Sequence, residues 1–164
     1  MNGVGELNIH EVKEKVVDIF TQVNELNKVM EEIKKKAKAI KGNTLNIKGI
    51  TDHLVDITYV FPKEREVVVY IIEEDGRVVG ERKKLRELRI GREGIRFIFS
   101  NGGIYAVWSD SVSAPKVLTL YTNYELITDV LSELRARYVA VSKNLDKLIT
   151  LMNIIKDTYE LVFK

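Results

Sequence analysis

The chain has 164 residues, of which 45% are hydrophobic and 30% are charged. This length suits one ordinary domain, or a small domain joined to an elongated element, and the apolar content can support a core. The net charge of +2 gives no overall field that would favour nucleic acid or an anionic membrane. Cysteine is absent, which excludes disulfides, thiolate metal sites and cysteine nucleophiles.

The sequence contains no segment that approaches the ~20 uninterrupted apolar residues of a membrane span. Its first residues also lack the basic and then apolar pattern of a signal peptide. We therefore expect a cytoplasmic protein with no membrane partner. Glutamine occurs once, at Gln22, whereas Lys, Arg, Glu, Ile and Val are abundant, a bias typical of heat-stable proteins.

The N-terminal segment carries a heptad pattern. Apolar residues recur from Ile9 to Ile40 at spacings that alternate between three and four, which is more than four heptads. Asn8 and Glu11 are placed to form a capping box at the start, and Gly42 is a stop signal. The pattern predicts an N-terminal stalk helix over residues 8–41.

The C-terminal segment repeats this pattern from Tyr124 to Val162, after a second capping-box candidate at Thr122. It predicts a C-terminal stalk helix over residues 122–163. We expect the two helices to pair as an antiparallel coiled-coil stalk, because setting Ile40 opposite Ile127 lets both apolar seams end at one level. The alternative is that each helix pairs with its copy in another chain.

The middle of the chain, residues 43–121, reads with period two and is rich in β-branched and aromatic residues. Turn signals at Asp75-Gly76 and Asn101-Gly102 separate the runs. These features predict an antiparallel β-meander head of five to seven strands, including a short strand at 117–121, with one apolar face. The predicted fold class is therefore α+β, with the head inserted between the two stalk helices.

Some apolar residues lie beside the two seams, and in the antiparallel register they gather at one height. A two-helix stalk can bury only one stripe per helix, so this second stripe predicts a homodimer or higher homo-oligomer. The alternative is that these residues only widen the contact within one chain. The predicted oligomerisation residues are Val17, Phe20, Ile149, Leu151 and Ile154.

The charges are distributed in blocks. A basic surface on the head and its junction with the stalk is a candidate for contact with nucleic acid, since clustered cations release counterions from phosphates. We favour the other interpretation, in which the basic residues pair with the acidic segment 52–75 on a solvated face. The candidate contact residues are Lys34, Lys35, Lys38, Arg82, Lys83, Lys84, Arg86 and Arg89.

Catalytic and metal-binding patterns are not found in the sequence. His10 and His53 are far apart and have no second ligand at metal-site spacing. The serines after Trp108 lack a nucleophile elbow, and no glycine-rich phosphate loop occurs. We predict no cofactor. The sequence favours a non-enzymatic scaffold protein that self-associates through its stalk and presents the head to a protein partner. The alternative is a nucleic-acid-binding protein that uses the basic surface.

Overall fold

The computed structural model describes residues 7–41 and 56–163. The helices and strands of these residues are, in chain order, α1 (Ile9–Lys41), β1 (Asp56–Ile72), β2 (Val78–Gly91), β3 (Gly94–Phe99), β4 (Ile104–Trp108), α2 (Ala114–Thr122) and α3 (Tyr124–Phe163). The strands form one antiparallel sheet in the order β1-β2-β3-β4. The predicted α+β class, with a long helix at each end and an antiparallel meander between them, is confirmed.

The first two strands are longer than the sequence indicates. The period-two runs before and after Pro62 belong to a single strand, β1, whose pairing with β2 shifts register between Val60 and Arg65. Four strands therefore occur among the described residues, and the runs before position 56 lie outside them. The predicted turns are present, and Gly76 and Gly102 adopt positive φ values of 86° and 88° there.

The predicted strand at 117–121 is wrong, because these residues belong to α2. Their β-branched and aromatic content is typical of a strand, but Pro115 occupies the first turn of the helix, where a missing backbone N–H costs nothing. Pro115 and Leu120 are buried, so tertiary packing stabilises a helix that the local composition does not favour.

Polar side chains at the start of β4, on α2 and at the residue after α2 form hydrogen bonds with the free edge of β1. The backbone N–H of Tyr70 donates to Thr119 Oγ1 at 2.9 Å, and Asn123 Nδ2 donates to the carbonyl oxygen of Val68 at 2.8 Å. Tyr105 Oη donates to the carbonyl oxygen of Tyr70 at 2.7 Å. Since Tyr105 lies on β4, the sheet curls until its last strand approaches the edge of its first.

The Tyr105 hydroxyl lies in a buried setting that disfavours its ionised form. Burial raises the pKa of the Tyr105 phenol, while its hydrogen bond with Thr119 acts in the opposite direction. Lys116 Nζ lies 3.6 Å from the centre of the Tyr105 ring, and burial lowers the pKa of this ammonium group.

The helices cover the apolar face of the sheet, so that one core joins both layers. This agrees with the expectation of a one-sided sheet. Inward-facing strand residues such as Leu88 and Phe97 are fully buried, and so are Ile33 on α1 and Ile127 on α3. The seam of α1 is buried almost continuously; its buried members are Ile19, Val23, Leu26, Met30, Ile33, Ala37 and Ile40.

The two long helices run in the same direction. Polar contacts along their length join Asp18 with Tyr124, Glu25 with Arg135, and Lys36 with Ser142 and Asp146. Residue numbers rise together on both helices, and the hydrogen-bonded partners differ by 106 to 110 positions. The lysine contacts are 2.6 Å to Ser142 Oγ and 3.0 Å to Asp146 Oδ2.

The predicted antiparallel register is therefore wrong, and Ile40 does not face Ile127. At the observed offset, Ile40 lies level with residues close to 148, while Ile127 lies level with Ile19. The seam of α1 is shared between α3 and the sheet. The last fourteen or so residues of α3 extend about 20 Å beyond the end of α1, at 1.5 Å per residue.

The direction of the helices can be tested with spin labels, because the chain has no native cysteine. With Lys13→Cys and Lys156→Cys, parallel helices place the labelled positions about 50 Å apart along the axis. Pulsed electron–electron double resonance measures this distance, with the labelled chain diluted into unlabelled chain so that only distances within one chain contribute. The control pair Lys13→Cys with Glu125→Cys should give a distance below about 25 Å. A short distance for the first pair would restore the antiparallel hairpin.

We expect Tyr105→Phe to lower the free energy of unfolding by about 1–3 kcal/mol, because the Tyr70 carbonyl loses its buried donor. Urea unfolding followed by circular dichroism measures the change. Tyr121→Phe is the matched control, since Tyr121 lies on α2 and is half-buried. Equal losses in the two variants would show that the Tyr105 hydroxyl has no special role in closing the sheet.

Candidate functional sites

The face of the sheet that points away from the helices is the first candidate surface. Strand pairing sets Thr58, Arg89, Arg96 and Ala106 in one cross-strand row, and Val60, Glu87, Ile98 and Ile104 in the next. In the second row Val60 and Ile104 are exposed, whereas Glu87 and Ile98 are buried, so this outward face carries both exposed apolar and basic side chains.

The predicted basic residues of the head divide between the two faces of β2. Arg82 and Lys84 point outward, opposite Val68 and Glu66 on β1. Lys83 points to the other face, where its Nζ lies 3.5 Å from Glu81 Oε2 and 6.0 Å from the centre of the Phe99 ring. We call Arg82, Lys84, Arg86 and Arg89 the basic column.

A buried carboxylate organises the lower half of the basic column. Glu87 is 7% exposed, and its Oε1 accepts hydrogen bonds from Arg86 Nη2 at 3.1 Å and Arg89 Nη2 at 3.5 Å. A buried charge has to be paired, so Glu87 holds two guanidinium groups at one position. Glu87 is not among the residues predicted from the sequence, where its only signal is that it is a single acid inside a basic segment.

A groove of about 370 Å³ lies between α1 and the turn that joins β2 to β3. Lys34 of α1 and Arg89 of β2 both line it, so the structure brings together members of the two predicted basic clusters. Lys35 and Lys38 are exposed on α1, and neither lines the groove. The rest of the lining is Asn27, Met30, Glu31, Asp56, Gly91, Arg92, Glu93, Gly94, Arg96 and Trp108.

The wall of the groove is formed where β3 meets β4. Gly94 pairs with Trp108, and a Cβ at position 94 would come within 2.0 Å of the carbonyl oxygen of Val107, so only glycine fits there. Arg96 stacks over the Trp108 ring, with its guanidinium carbon 4.9 Å from the ring centre. The indole ring thus lines the groove beside a guanidinium group.

The predicted oligomerisation residues occupy two separate regions. In the parallel arrangement Val17 and Phe20 lie level with the start of α3, whereas Ile149, Leu151 and Ile154 lie level with or beyond the end of α1. The predicted match in height between these two groups of residues is therefore wrong. Val17, Leu151 and Ile154 are 55%, 51% and 56% exposed, while Phe20 and Ile149 pack against the core.

The projecting end of α3 carries a large exposed apolar surface. We call this surface the apolar end; its members are Leu151, Ile154, Ile155, Tyr159, Leu161, Val162 and Phe163, which are 51–86% exposed. At 100° per residue these side chains cover about half of the helix circumference. Thr150, Asn153, Lys156, Asp157 and Glu160 occupy the other half. The heptad pattern of the C-terminal segment includes three members of the apolar end, namely Ile155, Tyr159 and Val162.

Across residues 7–41 and 56–163, no three His, Asp or Glu side chains come together in a way that could hold a metal ion. His10 is exposed in the first turn of α1, and His53 lies outside the described residues. None of the described helices combines the length and apolar character needed to cross a membrane.

Comparison of the chain with protein-family models, with curated proteins and with solved structures finds no match. Three features of the molecule bear on its function, namely the basic column, the groove and the apolar end.

Proposed function

We propose that this protein is a non-enzymatic assembly protein whose copies join through the apolar end of α3 and present the outward face of the sheet to a partner. The observation that carries the proposal is the exposure of the apolar end. If the apolar seam of α3 served only to pack against α1, α3 would become polar where α1 ends. In α3 the apolar pattern continues for about four turns past the end of α1.

The size of this surface supports an interface. Each of the seven side chains of the apolar end exposes on the order of 100 Å², so together they expose about 700 Å². The largest apolar patch on a typical monomer is about 300–600 Å², and a standard interface buries about 800 Å² on each partner. The apolar end thus has the area of one side of a stable contact.

The pattern of the apolar end favours a second copy of the chain as the partner. Two seams with heptad spacing run side by side, the first with Met152, Ile155, Tyr159 and Val162, and the second with Leu151, Ile154, Thr158 and Leu161. A helix with two adjacent seams packs between two neighbours, as in a bundle, and identical helices supply matching seams. The polar half carries Lys156 together with Asp157 and Glu160, a net negative charge that does not suit an anionic membrane surface.

We expect Ile155→Glu to dissociate the assembly, because it places a charge in the centre of the apolar end. The loss of one buried isoleucine corresponds to about 1.5–3 kcal/mol per copy, or about a 10- to 100-fold weaker association. Sedimentation velocity at micromolar concentration should show multiples of 18.8 kDa for the wild-type chain and 18.8 kDa for the variant.

Asn153→Glu is the matched control, since position 153 lies on the polar half of the same turn and the substitution adds the same charge. The control should leave the sedimentation coefficient unchanged. A wild-type chain that sediments at 18.8 kDa at tens of micromolar would remove the proposed assembly.

Binding of single-stranded nucleic acid by the outward face is a second candidate function, and the basic column favours it. Arg82 and Lys84 project from one face at a spacing of about 7 Å, close to the separation of phosphates along a strand. The ion pair between Arg82 and Glu66 is long, at 3.6 Å, and highly exposed, so it competes weakly with a phosphate.

We expect Lys84→Gln to weaken the affinity for a labelled single-stranded oligonucleotide. The salt slope should fall by about 0.7 for each phosphate that the variant no longer neutralises. Fluorescence anisotropy between 50 and 200 mM salt measures both quantities. Lys83→Gln is the control, because it removes the same charge from the opposite face of the same strand. An equal effect of the control, or no binding at low salt, would rule out the basic column as the site.

A further inference from the structure

We propose that the groove between α1 and the β2–β3 turn binds the phosphate group of a ligand of nucleotide size. Three cations converge there from three different elements, namely Lys34 on α1, Arg89 on β2 and Arg96 on β3. The groove volume of about 370 Å³ falls within the range of about 300–1,000 Å³ that is usual for small-ligand sites.

The three cations are only loosely engaged by carboxylates. Arg96 Nη1 lies 3.7 Å from Asp56 Oδ2, Arg89 Nη2 lies 3.5 Å from Glu87 Oε1, and Lys34 Nζ lies 3.9 Å from Glu31 Oε1. Strong bonds between a cationic N–H and a carboxylate measure about 2.7–2.9 Å. Since a guanidinium group has five N–H donors, both arginines keep donors that these carboxylates do not engage.

The charged residues that line the groove favour an anion, once the close ion pair between Arg92 and Glu31 is left out of the count. Arg92 Nη2 lies 2.5 Å from Glu31 Oε1, so these two charges balance each other. Asp56 and Glu93 then face Lys34, Arg89 and Arg96. Glu87 forms an ion pair with Arg89 and a shorter one with Arg86, and the charge of Arg86 balances it. The groove retains a net positive charge that a phosphate would neutralise.

The remaining lining suits a ligand with a ring as well as a phosphate. Gly91 carries no side chain and so adds no bulk to the lining, whereas the side-chain space of Gly94 is filled by the backbone of Val107. Trp108 adds a flat apolar wall that Arg96 holds in place. The phosphate could belong to a free nucleotide or to the terminal nucleotide of a single strand, whose backbone would continue along the basic column. The proposal does not depend on assembly through the apolar end.

The experiment combines isothermal titration calorimetry with the fluorescence of Trp108, which is the only tryptophan of the chain. The probes are inorganic phosphate, AMP, ATP, and a four-nucleotide single strand with and without a 5′-phosphate. We expect at least one nucleotide probe to bind and to change the Trp108 emission. Arg96→Gln and Lys34→Gln should each weaken this binding at least tenfold. Lys35→Gln, which removes a charge from α1 outside the groove, should change it less than twofold.

The choice of probe distinguishes the two sources of phosphate. Binding of AMP or ATP identifies a free nucleotide, whereas a requirement for the 5′-phosphorylated strand identifies a strand end, and either result supports the phosphate site. The proposal is overturned if no probe binds at millimolar concentration, or if Arg96→Gln and Lys34→Gln bind as the wild type does. Lys34 is half-exposed on a helix, so Lys34→Gln should keep the fold, which thermal melting checks. Sedimentation of the same samples reports on assembly separately.

Discussion

The architecture depends on one constraint, which is that the meander has a single apolar face and this face must be covered. The inward side chains of all four described strands belong to the same core as α1 and α3. The sheet alone is too small to bury that face by curling, even though Tyr105 reaches the edge of β1. Both long helices are therefore parts of the folded domain along most of their length, and the end of α3 extends past the end of α1.

The same constraint determines the direction of α3. Helix α2 spans nine residues along the edge of β1, and α3 begins directly after it, beside Asp18 near the start of α1. From that position α3 can lie along α1 only by running in the same direction. The sequence predicted both helices and their apolar faces. It could not predict their relative direction, because an alternation of three and four reads the same from either end.

The candidate surfaces were predictable to different degrees. The period-two pattern of β2 could have placed Lys83 and Lys84 on opposite faces of the sheet, since neighbouring residues on a strand point to opposite faces. The shift in pairing between Leu85 and Glu87 breaks this alternation, so the position of Arg86 required the structure. The groove could not be predicted at all, because Lys34 approaches Arg89 only through the packing of α1 against the end of the sheet.

The apolar end and the groove are separated enough that both can be occupied at the same time. At the observed offset between the helices, Lys34 is level with residues near 142, so Ile155 lies about 20 Å further along the axis of α3. An assembly formed at the apolar end would therefore leave the groove and the outward face of each copy open. Several identical sites on one particle bind a polymer with many phosphates far more tightly than one site does, because each later contact is intramolecular. Self-assembly would then set the strength of binding to a strand, while a free nucleotide, which occupies one groove, would bind equally well to the dissociated Ile155→Glu chain.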